Sequence, residues 1–508
     1  MLKVEREIEN GLPLITSTDR QRQTSTYFGH RTRYLIVLLS WLCLSCVVGN
    51  SLTLNFTVIC MRKEASTNEE LTTDIVLFNA TAQEAEPFYT PTEQAFLFSS
   101  VAIGCLVGAF TISYFITIFG TRIVFTSYGL ISGISMLLMP MAVYTRIELV
   151  FFMRFLQGIG ASTSFVMMGQ IIASWAPYSS SGSYLAFIST HLQVSKLLAM
   201  PTAGLLCQSE LLGWSYAYYF QGITTVLLFI CFFYFYRNSP TTHKNVSPME
   251  ASLLQRDKVL IKSNSHVKGD KREKVPYRSI LTDVSVFGAV ISLCGGNLGY
   301  QTFGFWIFAQ FGPTYLNKVL RLNVQHTGFT SAVPALLCIV LKLVIGPLSE
   351  RMSLSPRGRV IFFASLSQFT MSFCFVVLAF LPEGNAFTGQ LFFTLAYLFS
   401  GMNIAGVIAS CQLISGPFVH FIMSLNSLST SLVILLLPPA ISHFAPRNSR
   451  DEWTKILIFI AVFCCTTTLI FDLTAQATPR PWVMNRNRRS CSTNCTKEEN
   501  SKDHQIAS

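Results

Sequence analysis

The stretch VFFMRFLQGIGASTSF, residues 150–165, would pass for part of a membrane-crossing helix except at Arg154 and Gln157, which stand among apolar and small residues beside Gly158 and Gly160. Apolar runs of this kind recur along the chain at about the 20-residue length that a helix needs to cross a bilayer. Of the 508 residues 51% are hydrophobic and 12% charged, against about 25% charged in a soluble domain. The chain is therefore expected to be an all-α, multi-pass membrane protein, since a helix satisfies its own backbone groups in lipid. An arginine inside such a span is costly, so it must snorkel, find a partner or serve a function.

Twelve spans are expected, at 33–61, 94–119, 124–144, 148–175, 184–206, 214–236, 283–312, 325–349, 359–381, 386–410, 414–440 and 454–474. The 62–93 loop is mainly acidic, with Glu69, Glu70, Asp74, Glu84 and Glu86, and belongs outside or in a lumen. The 237–282 loop (Lys258, Lys262, Lys268, Lys271, Arg272, Lys274), the turn ERMSLSPRGR at 350–359 and NRNRR at 485–489 are basic and belong in the cytosol. Both termini then face the cytosol, which twelve spans allow. The layout is a cytosolic N-terminal tail (1–32), an N-terminal six-helix bundle (33–236), a cytosolic basic linker (237–282), a C-terminal six-helix bundle (283–476) and a cytosolic C-terminal tail (477–508). The start, MLKVEREIENGLPLITSTDRQRQ, is polar and unlike a signal peptide. The net charge of +11 reflects these loops rather than nucleic-acid binding. The 14 cysteines show no paired spacing and read as packing residues; no metal site or cofactor is expected. Asn79, in the NAT of the first outer loop, is a glycosylation acceptor by pattern.

Three cations fall inside spans: Arg154, roughly 9 Å along span four, Lys196 near the middle of span five, and Lys342 in the inner third of span eight. No acid lies well inside any span. Lys342 is expected to snorkel to the cytosolic side. Lys196 is too deep for that and should face a cavity. Gly158, Ala161, Ser162 and Phe165 continue the face of Arg154, so a helix or a substrate can come close. Tyr300 and Gln301 accompany four glycines of span seven, Gly295, Gly296, Gly299 and Gly304, and are candidate cavity residues; the alternative is helix packing with a satisfied amide. His191 and His420 read as satisfied core or cavity histidines rather than proton carriers, with His191 a further candidate contact to substrate.

Two short turns repeat a pattern between the halves: ITIFGTRIVF, with Gly120 and Arg122, and VIGPLSERMSLSPRGR, with Gly346, Glu350 and Arg351. Both are expected to gate the cytoplasmic side, the glycine allowing close approach and the charges pairing with neighbouring helix ends. Together they resemble the major facilitator superfamily. A closer resemblance is to its anion carriers of the sialin, vesicular glutamate transporter and sodium-phosphate cotransporter-like family. It is carried by RFLQGIGAS (154–162), SWAP (174–177), AMPTAGLLCQSELLGWSYAYYFQG (199–222), NSPTTHKNVSPMEASLL (238–254), GPTYLNKVLRLNVQHTGFTSAVPAL (312–336) and DEWTKILIFIAVF (451–463). It implies two six-helix bundles rocking about a midplane site, with Arg154 binding the substrate. The chain departs from that family where Ala161 replaces the span-four acid, where YSSSGS (178–183) lacks an acid and base, where Phe98 and Gln301 replace a histidine and an arginine, and near Ser51–Asn55, where no Arg-x-Asn is evident. Proton coupling therefore does not carry over.

The expected function is secondary active transport of a small organic or inorganic anion by alternating access, a symport with H+ or Na+ as the coupling ion. The substrate contacts would be Arg154, Lys196, Gln301, Tyr300 and His191. The alternative is a transceptor, a non-transporting sensor on a degenerate transporter scaffold. No nucleophile–base pair or metal cluster stands out, which argues against an enzyme. The protein would reside in the plasma membrane or in an intracellular vesicle or lysosome membrane.

Overall fold

A computed structural model describes residues 31–61, 88–208, 213–254, 275–301, 324–382, 385–446 and 449–483. Asn79, the basic stretch 258–274, the PTY motif at 313–315, and Cys491 and Cys495 lie outside the described residues. Within them the chain runs as span one (Thr32–Cys60), two (Pro91–Phe119), three (Thr121–Thr145), four (Ile147–Ala161 and Thr163–Trp175), five (Ser181–Ser189 and His191–Gln208) and six (Trp214–Phe235). The second half runs as seven (Val284–Gln301), eight (Val324–Arg351), nine (Pro356–Phe380), ten (Ala386–Ser400 and Val407–Ser415), eleven (Val419–Phe444) and twelve (Arg450–Thr474). These are the twelve transmembrane helices of two six-helix bundles.

Nine stretches among the described residues are long and apolar enough to cross a membrane, one of them, Phe387–Ile441, holding spans ten and eleven together. Spans five and seven fall outside this set: His191, Gln193 and Lys196 dilute the apolar run of span five, and Asn297, Tyr300 and Gln301 that of the described part of span seven. Local chemistry sets the helix ends. Thr90 and Glu93 form a reciprocal capping box at the start of span two, with Pro91 in the first turn, and Ser449 and Glu452 repeat the box at span twelve. Gly120 takes a φ of +82° between spans two and three, a conformation in which a side chain would be strained. The turn from span ten to eleven, expected at 411–413, lies at Gly416–Phe418, where Gly416 and Pro417 stop the helix.

Among the described residues, three spans are broken rather than continuous: four at Ser162, five at Thr190, and ten at Gly401–Ile404. The core is also unequal from end to end. At the end carrying the basic turns, one buried cluster runs through both halves, from Val166, Ile171 and Trp175 to Val419, Ile422 and Met423. At the opposite end each half keeps its own cluster, around Met136 and Tyr218 in one and around Phe375 and Trp453 in the other. The halves are thus sealed at the basic end.

Candidate functional site: a cationic cavity between the halves

A cavity of about 120 Å³ lies above this seal, lined from spans one, two, four and five of the first half and seven and eleven of the second. Arg154, Lys196, Tyr300 and Gln301 all line it, and so does Ala161. No acid is among its described lining residues.

Arg154 is 1% exposed. Its Nη1 donates to the Ser51 carbonyl and to Gln157 Oε1, each at 2.9 Å, and its Nε donates to the Leu97 carbonyl at 3.4 Å. Three of its five N–H groups therefore hold it to spans one, two and four, and Nη2 makes none of these bonds. Close helix packing brings those carbonyls within reach. A Cβ on Gly158 would strike the Val101 carbonyl and the Gly104 backbone, so span four lies directly on span two. Gln157, the other polar residue of the opening stretch, is fully buried and serves as a spacer for the guanidinium.

Lys196 faces the second half. Its Nζ is 3.5 Å from Tyr300 Oη and lies 5.2 and 5.5 Å from the ring centroids of Tyr300 and Tyr397, which stack on each other at 5.6 Å. Gln301 is 8% exposed. Beside it, Asn297 donates to Asn426 Oδ1 at 3.1 Å, linking spans seven and eleven at the cavity wall.

His191 is not in the lining. It is fully buried one layer back: Nδ1–H donates to the Ile188 carbonyl at 2.7 Å, so Nε2 accepts from the hydroxyl of Ser164, which does line the cavity, at 2.6 Å. The structure gives His191 the position of a support for Ser164 rather than of a direct contact. His420 is buried at the start of span eleven.

Lys342 corrects an expectation. It does not snorkel: it is 4% exposed, and Nζ donates to the Ser189 carbonyl and to Gln193 Oε1 of span five, each at 3.1 Å. The break at Thr190 frees that carbonyl, because Gln193 N–H bonds to Thr190 instead. The two glycine turns also differ. Glu350 accepts from Ser183 N and Oγ across the halves at 2.6 and 2.8 Å, and Gly346 lies against Ser183 and Ala186. Arg122 bonds within its own half, to Asn238 Oδ1 and the Phe233 carbonyl, while Gly120 lies beside Asn238. Arg351 is exposed.

Sequence reasoning passed over Tyr397, Gln193, Ser183 and Asn297. Each reads as one polar or aromatic residue in a helix, and only the crossing of helices gives it a role.

The Major Facilitator Superfamily model matches residues 34–438, so the chain belongs to that superfamily of membrane transport proteins. Among its relatives, sodium-dependent phosphate transport protein 1 of Mus musculus is 21% identical over 89% of this chain and 95% of its own length. Sialin of Ovis aries is 22% identical over 75% of this chain and 77% of its own. The family resemblance carried by the motifs is the one these relatives show. Among solved structures, the proton:xylose symporter XylE bound to 6-bromo-6-deoxy-D-glucose superimposes with a TM-score of 0.63 over 86% of this chain and 96% of its own, at 14% identity. That likeness concerns the fold alone.

Proposed function

We propose that the protein is a secondary transporter of small anions, working by alternating access, with Arg154 binding the substrate in the cavity between the halves. One observation carries this reading: two cations on different helices line a single cavity whose described lining contains no acid. Arg154, buried and in no ion pair among the described residues, is best neutralised by an anionic ligand. The phosphate in the mouse relative's name fits the same class. Sealing at the basic end, taken as cytosolic along with both termini, makes this the conformation closed to the cytosol. Ala161 lines the cavity where the family carries an acid, so the coupling ion, H+ or Na+, is not held by a span-four carboxylate.

The test is uptake of radiolabelled phosphate and carboxylates by liposomes containing the purified protein, under imposed proton, sodium or voltage gradients. Wild type should accumulate at least one anion, and Arg154→Ala should lower that uptake about a hundredfold. Undiminished uptake in the variant would exclude Arg154 as the binding residue.

A further inference from the structure

We infer that the hydroxyls of Thr430 and Ser431 on span eleven are specificity determinants: they accept hydrogen bonds from hydroxyl groups of the substrate, so the preferred anion is a small hydroxy acid. This rests on the reading of the cavity as an anion site.

Bonds already made within the protein sort the polar lining into donors and acceptors. Ser51, Ser164, Ser427, Thr430 and Ser431 supply the serine and threonine hydroxyls of the described lining. Each hydroxyl has one proton and two lone pairs. Ser51 donates to the Val48 carbonyl at 2.7 Å, and Ser164 to His191 Nε2 at 2.6 Å. Ser427 donates to the Ser162 carbonyl at 3.1 Å, Thr430 to the Asn426 carbonyl at 3.0 Å, and Ser431 to the Ser427 carbonyl at 2.8 Å. Asn297 Nδ2 donates to Asn426 Oδ1 at 3.1 Å and to Ser429 Oγ at 3.4 Å, which leaves its Oδ1 as an acceptor. These neutral groups therefore offer lone pairs to the cavity, and the protons that suit an acid come from Arg154.

Ser427, Thr430, Ser431 and Ile434 share one face of span eleven, at i, i+3, i+4 and i+7, and that face lines the cavity. The bonds of Thr430 and Ser431 stay inside their own helix, whereas that of Ser427 crosses to span four. All three residues are buried. Turning a proton toward a ligand would break a bond already made, while accepting one breaks none. A ligand that displaces solvent from these oxygens must donate in its place. A hydrocarbon chain does not, and an inorganic oxyanion sets lone pairs against lone pairs. An ammonium donates, but it would share the cavity with Arg154 and Lys196. A hydroxyl donates without adding charge.

The experiment measures half-saturating concentrations by thermal stabilisation of the full-length purified protein. It sets lactate against propionate, 3-hydroxybutyrate against butyrate and gluconate against hexanoate, with alanine and inorganic phosphate alongside. At least one hydroxy acid should act at about tenfold lower concentration than its deoxy partner, the size expected for one hydrogen bond completed in a buried site. Thr430→Val, which keeps the shape, should shrink that preference to about threefold. Thr430→Val combined with Ser431→Ala should erase it, and Thr430→Ser should retain it. Equal response to hydroxy and deoxy acids in wild type, a preference that survives in the double variant, or alanine or phosphate outranking every hydroxy acid would overturn the inference and leave anion binding standing. No response of wild type to any anion would overturn the anion reading itself.

Discussion

Arg154 and Lys342 look alike in the sequence and differ in what they hold. Both are cations in apolar helices, 1% and 4% exposed, and neither is in the one ion pair found among the described residues, Asp283–Arg480. The bonds of Arg154 stay within the first half, and its side chain reaches the cavity. The bonds of Lys342 both cross from the second half to the first, and it is not among the cavity lining. On the proposed alternating access, a cation fixed inside one half keeps its geometry as the halves move. A cation bonded across them exists in this form only while the basic ends are closed. On the proposed function, the partner and not the burial would separate a ligand contact, Arg154, from a latch, Lys342.

Three substitutions test that separation. The largest effect is expected from Arg154→Lys, which keeps the charge and loses the planar fork that reaches Ser51, Leu97 and Gln157 together. Uptake at low anion concentration should fall by roughly fiftyfold through KM, since charge-assisted bonds contribute about 1.5–3 kcal/mol each. A lysine variant that transports like wild type would reduce Arg154 to a bare charge. Next comes Lys342→Met, which leaves the Ser189 carbonyl and Gln193 Oε1 without donors in the closed state. The closed form should lose about tenfold in population. The readout is maleimide labelling, from the basic side, of a cysteine replacing Ala186, which packs against Gly346. An unchanged labelling rate would show that Lys342 is no latch. Glu350→Gln should act in the same direction but by about threefold, because the bonds to Ser183 lie at a half-exposed rim where solvent weakens them.

The bilayer made the twelve spans legible, because it imposes length and apolarity on each helix regardless of what the helix touches. Arg154 was legible for the same reason. What escaped notice depends on how helices cross and break. The carbonyl that holds Lys342 is available only because span five breaks at Thr190, where Trp41 Nε1 donates to the threonine hydroxyl at 2.9 Å; nothing in SKLLAMP or CIVLKLVIG announces that pairing. The two glycine turns looked equivalent because their composition is equivalent. Only packing shows that Glu350 clasps the other half while Arg122 braces its own, over the ring of Phe233 at 4.2 Å.

His243 extends the contrast outside the bilayer, since it is a basic residue whose surroundings disfavour the charged form. Its Nε2–H donates to the Phe235 carbonyl at 3.0 Å, and its Nδ1 accepts from Asn245 N–H at 3.1 Å, with the ring set edge-on to Trp175 at 5.7 Å. Burial lowers its pKa below the ordinary histidine value and nearby Arg237 lowers it further, while the bond to Phe235 and the Glu250 carboxylate work the other way without reversing the shift. A proton on Nδ1 would also face the Asn245 N–H. With the folded pKa depressed, the unfolded chain binds more protons in the window between the two values. The contribution to stability is thus fully present above about pH 6.5 and is lost as pH falls through the folded pKa. This linker segment should therefore loosen on acidification. Melting temperature should fall more steeply between about pH 7.5 and about pH 5 for wild type than for His243→Gln, whose amide still donates to Phe235 but does not titrate. Equal slopes for the two proteins would mean that His243 keeps one protonation state throughout, and that the linker is pinned by the Glu250 carboxylate, which accepts from Arg33 N–H at 2.9 Å, rather than by the neutral imidazole.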